Sequence, residues 1–588
     1  MHDVIGAYQR LSHIYNLYIK SAFPLRYRSL AAEREEILQK PEILSQPPLI
    51  EPVPIYPSSG LDLQAAAKQL PSKYHDLAQL GKMLFDNGIE LYDHQWQSLQ
   101  EVLINQKDLV VTTGTGSGKT ECFLLPLLAH LAWESSTWSP SKPKPNNHHW
   151  WHNNNNRVSQ WKEHITRKPA LRGLILYPLN ALVEDQLRRL RKTLEAPEIH
   201  NWLDQKRGKN RITFGRYTGE TPIPGDETPQ KLQKLRQELA EWEQQQNKIS
   251  KANLSVNPDL PYYFPRVDGG EMWSRWDMQD TPPDLLITNY SMLNIMLMRS
   301  IEQDIFEKTK DWLAEPNHPE RQFFLIIDEL HAYRGTPGTE VAYILRLLFS
   351  RLGLTPDSPK LRIITTTASL EENAEGKKFL QEFFGRDEKQ FAFISQPQQP
   401  PKVNARKSLI NHQDAFANFA HSVQSNPLES MGQPDINDQN VANAISTLTN
   451  DLGYVSSSSL SLERQLGESL ENIDAGEALR DACQNVNGSV RATKVEDLQK
   501  QIFPNSQRGD KSMRGLLLAL GMSKLDNGRS PQPVRGHLFF HNLQSLWACC
   551  NPNCTKVDHT KRQNDSPTIG AIHAKHRLTC GCGSRVLD

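Results

Sequence analysis

The sequence predicts an α/β fold in which a parallel β-sheet is wrapped by helices. Short apolar runs near residues 109, 174, 212, 285, 323 and 362 alternate with longer stretches of helical periodicity. This alternation is typical of a parallel sheet that is covered by helices on both faces. Two of the apolar runs end in polar motifs, a glycine-rich loop within residues 108–120 and a pair of carboxylates within residues 323–331.

The glycine-rich loop predicts a nucleoside triphosphate site. Residues 108–120 have the sequence DLVVTTGTGSGKT, which fits a strand, a loop and the start of a helix. Glycines let backbone N–H groups surround phosphate oxygens, and the helix adds the positive end of its dipole. Lys119 is then expected to reach the β- and γ-phosphates, while Thr120 offers a hydroxyl to Mg²⁺. The predicted phosphate-binding residues are Thr115, Gly116, Ser117, Gly118, Lys119 and Thr120.

The acidic pair supplies the second half of an ATPase. Residues 323–331, FFLIIDELH, form a continuous apolar run of the kind that a central parallel strand needs, followed by two carboxylates. We expect Asp328 to hold Mg²⁺ and Glu329 to orient and deprotonate the attacking water. Such a pair can also simply cap the next helix. Its combination with Lys119 favours the catalytic interpretation.

Further motifs resemble superfamily 2 helicases of the DEAD/DEAH-box type. Residues 328–331 match the box itself, and residues 91–95, LYDHQ, look like the adenine-reading Q motif with Gln95 as the reader. The resemblance therefore implies a RecA-like P-loop lobe with ATP and Mg²⁺ as cofactors. Two departures are Thr113, where the common loop motif has glycine and this family usually has alanine, and Leu330 within the box. Neither residue supplies an essential side chain, so the resemblance stands.

The same resemblance implies a nucleic-acid partner. Residues 173–182, 216–221 and 283–291 are similar to three family motifs that grip a nucleic-acid backbone, and residues 367–369 take the place of the motif that couples hydrolysis to strand movement. The implied nucleic-acid contacts are Pro178, Asn180, Thr218, Gly219, Thr288 and Asn289. The implied coupling residues are His331, Thr367, Ala368 and Ser369.

A cysteine cluster at the end of the chain predicts structural zinc. Five of the seven cysteines lie in the last 40 residues, and two close pairs separated by a loop suit tetrahedral thiolate coordination. Unpaired buried thiols or an incomplete site are the alternatives. The cluster is similar to the zinc module of large bacterial helicases, some of which belong to phage-defence systems, and this resemblance favours Cys549 over Cys550. The predicted ligands are Cys549, Cys554, Cys580 and Cys582, with Cys122 and Cys483 as core residues.

Composition and length set the expected organisation. The 588 residues suggest about four domains. The 67 basic and 67 acidic residues leave no net charge, so any nucleic-acid surface must be local. We see no membrane-spanning run and no signal peptide, and we expect a cytoplasmic protein without a membrane partner. The expected units are an accessory segment on the first lobe (1–75), an ATP-binding lobe (76–395, with insertions 135–168 and 225–280), a polar linker with a helical insert (396–535) and an incomplete zinc module (536–588).

Three stretches inside the ATP-binding lobe leave room for more than one interpretation. Residues 135–168, rich in asparagine and histidine, predict a surface loop, and metal binding by their histidines is disfavoured because no regular element fixes their spacing. Residues 231–246 have leucines at helical intervals, which favours a packed helix over a functional stripe. The basic run 187–192 could contact phosphates or form a solvated face.

A superfamily 2 motor needs two lobes, since arginines from the second lobe stabilise the transferring phosphoryl group. Residues 390–588 show no resemblance to such a lobe, so we expect it in a downstream segment or a separate subunit. Three functions remain open at this point: the first lobe of an ATP-dependent DNA helicase or translocase, a nucleotide-dependent adaptor, and an inactive remnant. The nucleic-acid motifs favour the first. The sequence does not separate DNA from RNA.

Overall fold

A computed structural model describes most of the chain as two compact units. One unit comprises Tyr56–Gln398, and the other combines Met1–Ile55 with Gln399–Asp588. The described residues are 3–40, 43–85, 89–114, 116–145, 147–152, 156–251, 258–333, 335–367, 370–395, 401–402, 405–423, 434–454, 460–484, 490–504, 508–526, 528–541, 545–562 and 567–587.

These residues form 15 strands and 20 α-helices. The strands are β1 (Leu49–Pro52), β2 (Ser58–Asp62), β3 (Glu90–Tyr92), β4 (Asp108–Val111), β5 (Gly173–Tyr177), β6 (Phe214–Tyr217), β7 (Leu285–Asn289), β8 (Phe323–Ile327), β9 (Leu361–Thr366), β10 (Phe391–Ile394), β11 (Thr493–Lys494), β12 (Val534–His537), β13 (Trp547–Cys549), β14 (Ile572–His573) and β15 (Val586–Leu587). The α-helices are α1 (Val4–Ala22), α2 (Arg28–Leu38), α3 (Leu63–Gln69), α4 (Leu77–Leu80), α5 (Asp93–Leu103), α6 (Lys119–Ser135), α7 (Asn180–Leu194), α8 (Pro197–Lys206), α9 (Pro229–Ile249), α10 (Arg275–Asp280), α11 (Tyr290–Met298), α12 (Gln303–Leu313), α13 (Thr336–Arg351), α14 (Ala374–Phe384), α15 (Gln413–Ser422), α16 (Gln439–Asp451), α17 (Leu462–Asn472), α18 (Ala475–Ala482), α19 (Val495–Ile502) and α20 (Gly509–Met522). Within the described ranges, no helix has the length and apolar character needed to cross a bilayer.

The unit Tyr56–Gln398 is built on a seven-stranded parallel sheet, which confirms the predicted α/β class. The strand order is β10-β4-β9-β8-β5-β7-β6, and every neighbouring pair runs parallel. Strands β4, β5, β8 and β9 are buried along their whole length, as expected for strands covered on both faces. The six predicted apolar runs all form strands. Strand β10 was not predicted, because it is short, lies at the sheet edge and is only partly buried.

The strand order divides the carboxyl edge of this sheet into two halves. Strand β9 lies between β4 and β8, so the segments that follow these three strands are neighbours. Strands β5, β7 and β6 form the other half, with β8 and β5 adjacent at the boundary. Because ligands bind at the carboxyl ends of strands in open parallel sheets, both halves of this edge are candidate sites.

The opposite edge of the sheet is held by a buried network of charges. Asp284, just before β7, accepts hydrogen bonds from the Thr213 backbone N–H at 2.8 Å and from Arg167 Nη2 at 2.5 Å. Arg172 Nη1 lies 3.0 Å from the other Asp284 oxygen, and Arg172 Nη2 donates to Glu134 at 2.8 Å. Charges removed from water must be paired and hydrogen-bonded. Asp284, which falls inside a predicted nucleic-acid motif, therefore serves the fold.

The surface-loop prediction for residues 135–168 is wrong. Trp150 and Trp151 lie in a short 3₁₀ helix, Trp150–His152, and are only 1% and 4% exposed. They pack with Leu235 and Leu239 of α9 in a separate apolar cluster. The surrounding asparagines and histidines hid this anchor from the sequence analysis. Helix α9 confirms the packed helix predicted for residues 231–246, with both of these leucines buried.

The basic run 187–192 mainly supports the fold. Arg191 is buried and forms two hydrogen bonds with Glu271, at 2.7 and 2.6 Å. Arg189 Nη1 pairs with Glu121 at 2.9 Å, and Arg188 Nη1 donates to the hydroxyl of Tyr263 at 2.7 Å. All three arginines therefore have partners within the protein. Neither phosphate contact nor a fully solvated face is needed to explain the basic run.

The second unit corrects two domain predictions. Residues 396–535, predicted as a polar linker with a helical insert, contain helices α15 to α20 around one apolar core that also includes Val4 and Ile50. Residues Met1–Ile55, predicted as an accessory segment on the first lobe, belong to this same unit, while residues 56–75 belong to the unit with the parallel sheet. Strand β1 pairs antiparallel with β11 and β12. Apolar residues at helical spacing build this core, and the abundant serine, asparagine and glutamine between them masked it.

Candidate functional site

The glycine-rich loop connects β4 to α6 as predicted. Gly116 and Gly118 have φ values of 78° and 75°, in the left-handed region that favours glycine. A side chain on Gly118 would also collide with the amide nitrogen of Gln95. Helix α6 begins at Lys119, with the half-buried Thr120 in its first turn. This is the arrangement that presents backbone N–H groups to an anion. Thr115 lies outside the described residues.

Thr113 has a role that the sequence analysis missed. Its hydroxyl lies 2.5 Å from the hydroxyl of Ser117, and both side chains are buried beneath the loop. A hydrogen bond between these two residues ties the first part of the loop to its last part. The departure from the common motif at position 113 thus provides a side chain that fixes the shape of the loop.

His94 and Gln95, in the predicted Q motif, also contact the loop. The His94 ring is buried, and its Nε2–H donates to the carbonyl oxygen of Ser117 at 2.6 Å. Burial lowers the pKa of His94, which keeps the ring neutral. The Gln95 amide accepts from the backbone N–H of Tyr92 at 3.0 Å and donates to the carbonyl of Gly118 at 3.3 Å. Adenine recognition by Gln95 stays a prediction, whereas its contact with the loop is observed.

The acidic pair meets the loop across the sheet edge. Lys119 Nζ lies 3.5 Å from Glu329 Oε1, although the two residues are 210 positions apart in the chain. Asp328 accepts a hydrogen bond from the hydroxyl of Thr366, and the same hydroxyl accepts the backbone N–H of Glu329 at 3.3 Å. The structure therefore brings the three predicted catalytic residues together. It adds Thr366, the last residue of β9, which forms hydrogen bonds with Asp328 and Glu329.

Burial and backbone strain mark this part of the site. Burial raises the pKa of the Asp328 carboxyl, while the Thr366 hydrogen bond and the charge of Lys119 oppose the rise. Glu329 has a φ of 54°, an uncommon value for a residue with a side chain. The Asp328 carboxylate and the Thr120 hydroxyl are hard oxygen donors of the kind that Mg²⁺ accepts. The residues present therefore fit a Mg²⁺–nucleotide complex.

The predicted coupling residues are only partly covered by the structure. His331 Nδ1 lies 3.2 Å from Glu329 Oε2, in the 3₁₀ helix that follows the acidic pair. Thr367 is buried, and its backbone N–H donates to the carbonyl of Val111 at 2.9 Å. Ala368 and Ser369 lie outside the described residues. The run of three threonines at 365–367 was the available signal for Thr366.

The predicted nucleic-acid residues converge on the other half of the edge. Asn289 Nδ2 donates to Asn180 Oδ1 at 2.8 Å, which joins the segments after β5 and β7. The Thr288 hydroxyl donates to the carbonyl of Tyr217 at 2.6 Å, which joins β7 to β6. Within this group Asn180 and Gly219 are exposed, Pro178 is half-buried, and Thr218 and Thr288 are buried. The exposed members can contact a ligand directly, and the two threonines shape the surface.

The cysteine cluster forms a compact set of four sulfur atoms. Cys549, Cys554, Cys580 and Cys582 each offer a sulfur, and all four lie within 4.8 Å of one another. The Cys549–Cys582 and Cys554–Cys580 sulfurs are both 3.6 Å apart. Cys550 is exposed and outside this set, so the geometry selects Cys549 as predicted. Four thiolates are a donor set that Zn²⁺ prefers, and the residues present fit that ion.

The comparisons with known proteins agree with this architecture. Residues 92–256 match the family model of DEAD/DEAH box helicases, so the chain carries a DEAD/DEAH box helicase domain. Druantia protein DruE of Escherichia coli (strain UMEA 4076-1) is 30% identical over an alignment of 638 positions, which covers 100% of this chain and 32% of DruE. The uncharacterized ATP-dependent helicase MJ1574 of Methanocaldococcus jannaschii is 22% identical over 309 residues, covering 53% of this chain and 30% of that protein. The chain thus spans about a third of these curated relatives.

Solved helicase structures also match, at low similarity. The DUF1998 helicase MrfA bound to DNA is 18% identical, with 75% of this chain and 48% of that chain covered and a TM-score of 0.31. The DEAD-box helicase Mss116 bound to single-stranded RNA and UDP-BeF is 13% identical, with 63% and 56% covered and a TM-score of 0.32.

Proposed function

We propose that this chain is the ATP-binding motor lobe of an ATP-dependent helicase or translocase that acts on nucleic acid. The observation that carries the proposal is the distance of 3.5 Å between Lys119 Nζ, at the start of α6, and Glu329 Oε1, just after the end of β8. The segments that resemble nucleic-acid motifs occupy the other half of the same sheet edge. The helicase domain matched at residues 92–256 supports this assignment.

The residues at the first half of the edge have distinct roles in the proposed hydrolysis. Backbone N–H groups of the loop and Lys119 bind the phosphates, and Thr120 and Asp328 hold Mg²⁺. When bound, Mg²⁺ would neutralise negative charge on the phosphates. Glu329 orients the attacking water and accepts its proton. Because Lys119 contacts Glu329 in the structure, the phosphates must separate this pair before the carboxylate can serve as a base.

One hydrogen bond links the ATP half of the edge to the nucleic-acid half, next to contacts of Thr366 within the ATP half. Thr366 touches both Asp328 and Glu329, so a movement of the acidic pair also moves the end of β9. The backbone N–H of Asp328 donates to the carbonyl of Leu176 at 3.2 Å. Leu176 lies in β5, two residues before Pro178. We therefore infer that the effect of ATP binding is transmitted to the nucleic-acid surface through strand β5.

The proposed motor is completed by a second RecA-like lobe from a downstream segment or a separate subunit. Loss of the γ-phosphoryl group is accelerated by arginines that neutralise its developing charge, and in this superfamily the second lobe supplies them. The relatives support the proposal, because the chain spans only 32% of DruE and 30% of MJ1574. DNA is the expected nucleic acid.

Single-stranded DNA should bind at the Asn180–Asn289 surface. Hydrogen bonds from neutral groups to phosphates contribute roughly 1.5–3 kcal/mol each, so the double change Asn180→Ala and Asn289→Ala should weaken binding at least about tenfold. Fluorescence anisotropy with a labelled single-stranded DNA measures this effect. The matched control is Asn247→Ala, an exposed asparagine on α9.

A defined result would contradict this prediction. Equal affinity of the double variant and the Asn247→Ala control would remove this surface from the proposal. A matched RNA oligonucleotide is measured in parallel. Tighter binding of RNA than of DNA would overturn the expectation that DNA is the substrate.

We further propose that the four-cysteine cluster holds one structural zinc ion. The chain should retain one equivalent of zinc after exchange into metal-free buffer, as measured by elemental analysis. Cys580→Ser should lose this ion, and Cys550→Ser should keep it because Cys550 is exposed and outside the cluster. Zinc loss should also increase amide hydrogen exchange around Trp547, since metal binding and folding are coupled in small sites. Loss of zinc from the Cys550 variant alone would contradict the ligand set.

A further inference from the structure

A second cluster of ligating side chains lies in the insertion between β4 and β5 and the one between β6 and β7. His149, His152 and Glu243 each offer one ligand atom, and these atoms all lie within 4.8 Å of one another. His152 Nε2 is 2.8 Å from Glu243 Oε2, and His149 Nδ1 is 3.5 Å from Glu243 Oε1. The two histidines come from one insertion and the glutamate from the other.

The local structure explains why the two imidazole rings lie close together. His149 immediately precedes the 3₁₀ helix Trp150–His152, and His152 is its last residue. Residues three apart lie above one another in such a turn. Their rings are nearly parallel, with an interplanar angle of 13° and centroids 5.9 Å apart. The buried Trp150 and Trp151 anchor the turn from below, so both imidazoles are held on its outer side.

The carboxylate is also held in position. Glu243 lies on α9, which packs against this turn through the apolar cluster around Trp150. The indole N–H of Trp151 donates to Glu243 Oε2 at 3.0 Å. A hydrogen bond from outside the ligand set, which fixes the orientation of a ligating carboxylate, is a regular feature of metal sites.

We propose that His149, His152 and Glu243 bind a divalent cation of the Zn²⁺ class, with water completing the coordination. Two imidazoles and one carboxylate match the nitrogen and oxygen donors that Zn²⁺ accepts, and three protein ligands leave a position for solvent. The ion fastens the tryptophan-containing turn to α9. This inference is independent of the proposed motor function, because none of the three residues belongs to the sheet edge.

Exposure indicates that this ion is held less tightly than zinc at the cysteine cluster. The side chains of His149 and His152 are 46% and 52% exposed, so water competes at the site and the metal exchanges. We therefore expect the ion at the cysteine cluster to survive exchange into metal-free buffer. The ion at the histidine–glutamate site should be lost in that step and should bind again when Zn²⁺ is added.

Calorimetric titration of the full chain, with zinc already at the cysteine cluster, tests the proposal. Added Zn²⁺ should bind with a stoichiometry of one further ion, and Glu243→Gln and His152→Ala should each weaken this step at least about tenfold. Glutamine still offers an oxygen to the Trp151 indole, so the Glu243 variant keeps that contact. The control is His318→Ala, which removes a half-buried histidine paired with Glu320 at 2.9 Å.

Two results would overturn the site. One is the absence of a second binding step in the unaltered chain. The other is an unchanged second step in the Glu243→Gln and His152→Ala variants, with circular dichroism confirming that they are folded. In either case the cluster is a hydrogen-bonded group of two histidines and a glutamate.

The proposed fastening of the turn to α9 by the ion can be measured separately. Zn²⁺ should slow amide hydrogen exchange in residues 147–152 and in α9 of the unaltered chain, and it should not do so in Glu243→Gln. Co²⁺ at this site should give a visible spectrum without the thiolate charge-transfer band that marks the cysteine cluster. Binding of the second ion without local protection would overturn the proposed fastening.

Discussion

Addition of a second RecA-like lobe should raise ATP hydrolysis by this chain by about 10³ to 10⁵, the range in which arginine fingers act. The chain already brings Lys119 to within 3.5 Å of Glu329 and supports the acidic pair through Thr366. The proposed missing contribution is the positive charge of arginine side chains next to the transferring phosphoryl group. The second lobe would bring them there when the cleft between the two lobes closes. Steady-state phosphate release, with and without the lobe and with and without single-stranded DNA, measures the effect.

The control for this experiment is Glu329→Gln in the completed motor. The amide retains the size of the side chain but cannot accept the proton of the attacking water, so turnover should fall by about 10² or more. ATP should remain bound, because glutamine removes the charge that engages Lys119 in the structure. Vigorous DNA-stimulated turnover by the chain alone, abolished by Glu329→Gln, would refute the need for a second lobe.

Lys119→Ala should remove most of the affinity for ATP. The ammonium is the mobile cation assigned to the β- and γ-phosphates, and truncating one member of a buried charge pair weakens binding by about 2–5 kcal/mol, roughly 30- to 5,000-fold in affinity. The fold should survive, because Glu329, its partner in the structure, keeps access to water. Calorimetry with a non-hydrolysable ATP analogue and Mg²⁺ gives the affinity.

A second lysine serves as the control. Lys378 lies on α14 and is 73% exposed, so Lys378→Ala should bind the analogue like the unaltered chain. Equal affinities of the Lys119 and Lys378 variants, both folded by circular dichroism, would show that the phosphates bind elsewhere.

The sequence was sufficient for the parts of the molecule that depend on local pattern. Strands β4, β5, β8 and β9 are continuous buried runs, and a completely buried strand has a clear hydrophobic signature. The loop and the acidic pair follow two of these strands. Because parallel strands end at one edge, the sequence could predict that Lys119, Asp328 and Glu329 lie close together before any distance was known.

The remaining features depend on contacts that form only in the folded chain, or lie in segments whose polar average composition conceals the spacing of their apolar residues. His94 and Thr366 act through hydrogen bonds to segments that are distant in the chain, and Thr113 acts through a hydrogen bond to Ser117 that forms only when the loop is folded. Residues 396–535 are polar on average, and their helical core became evident only when several amphipathic helices were seen to share it. Strand β10 gives a weak signal because it is short and half-buried at the edge of the sheet.

The pairing of β1 with β12 sets an order of events during synthesis. Ile50 faces Gly536 across this pair, so β1 leaves the ribosome long before its partner exists. At about 5–20 residues per second, the delay is roughly half a minute to a minute and a half. During that time Tyr56–Gln398 can fold as a continuous stretch of chain, whereas the segment before it must wait with Val4 and Ile50 uncovered. Co-translational chaperones would therefore be expected to engage the first 55 residues before any other part of the protein.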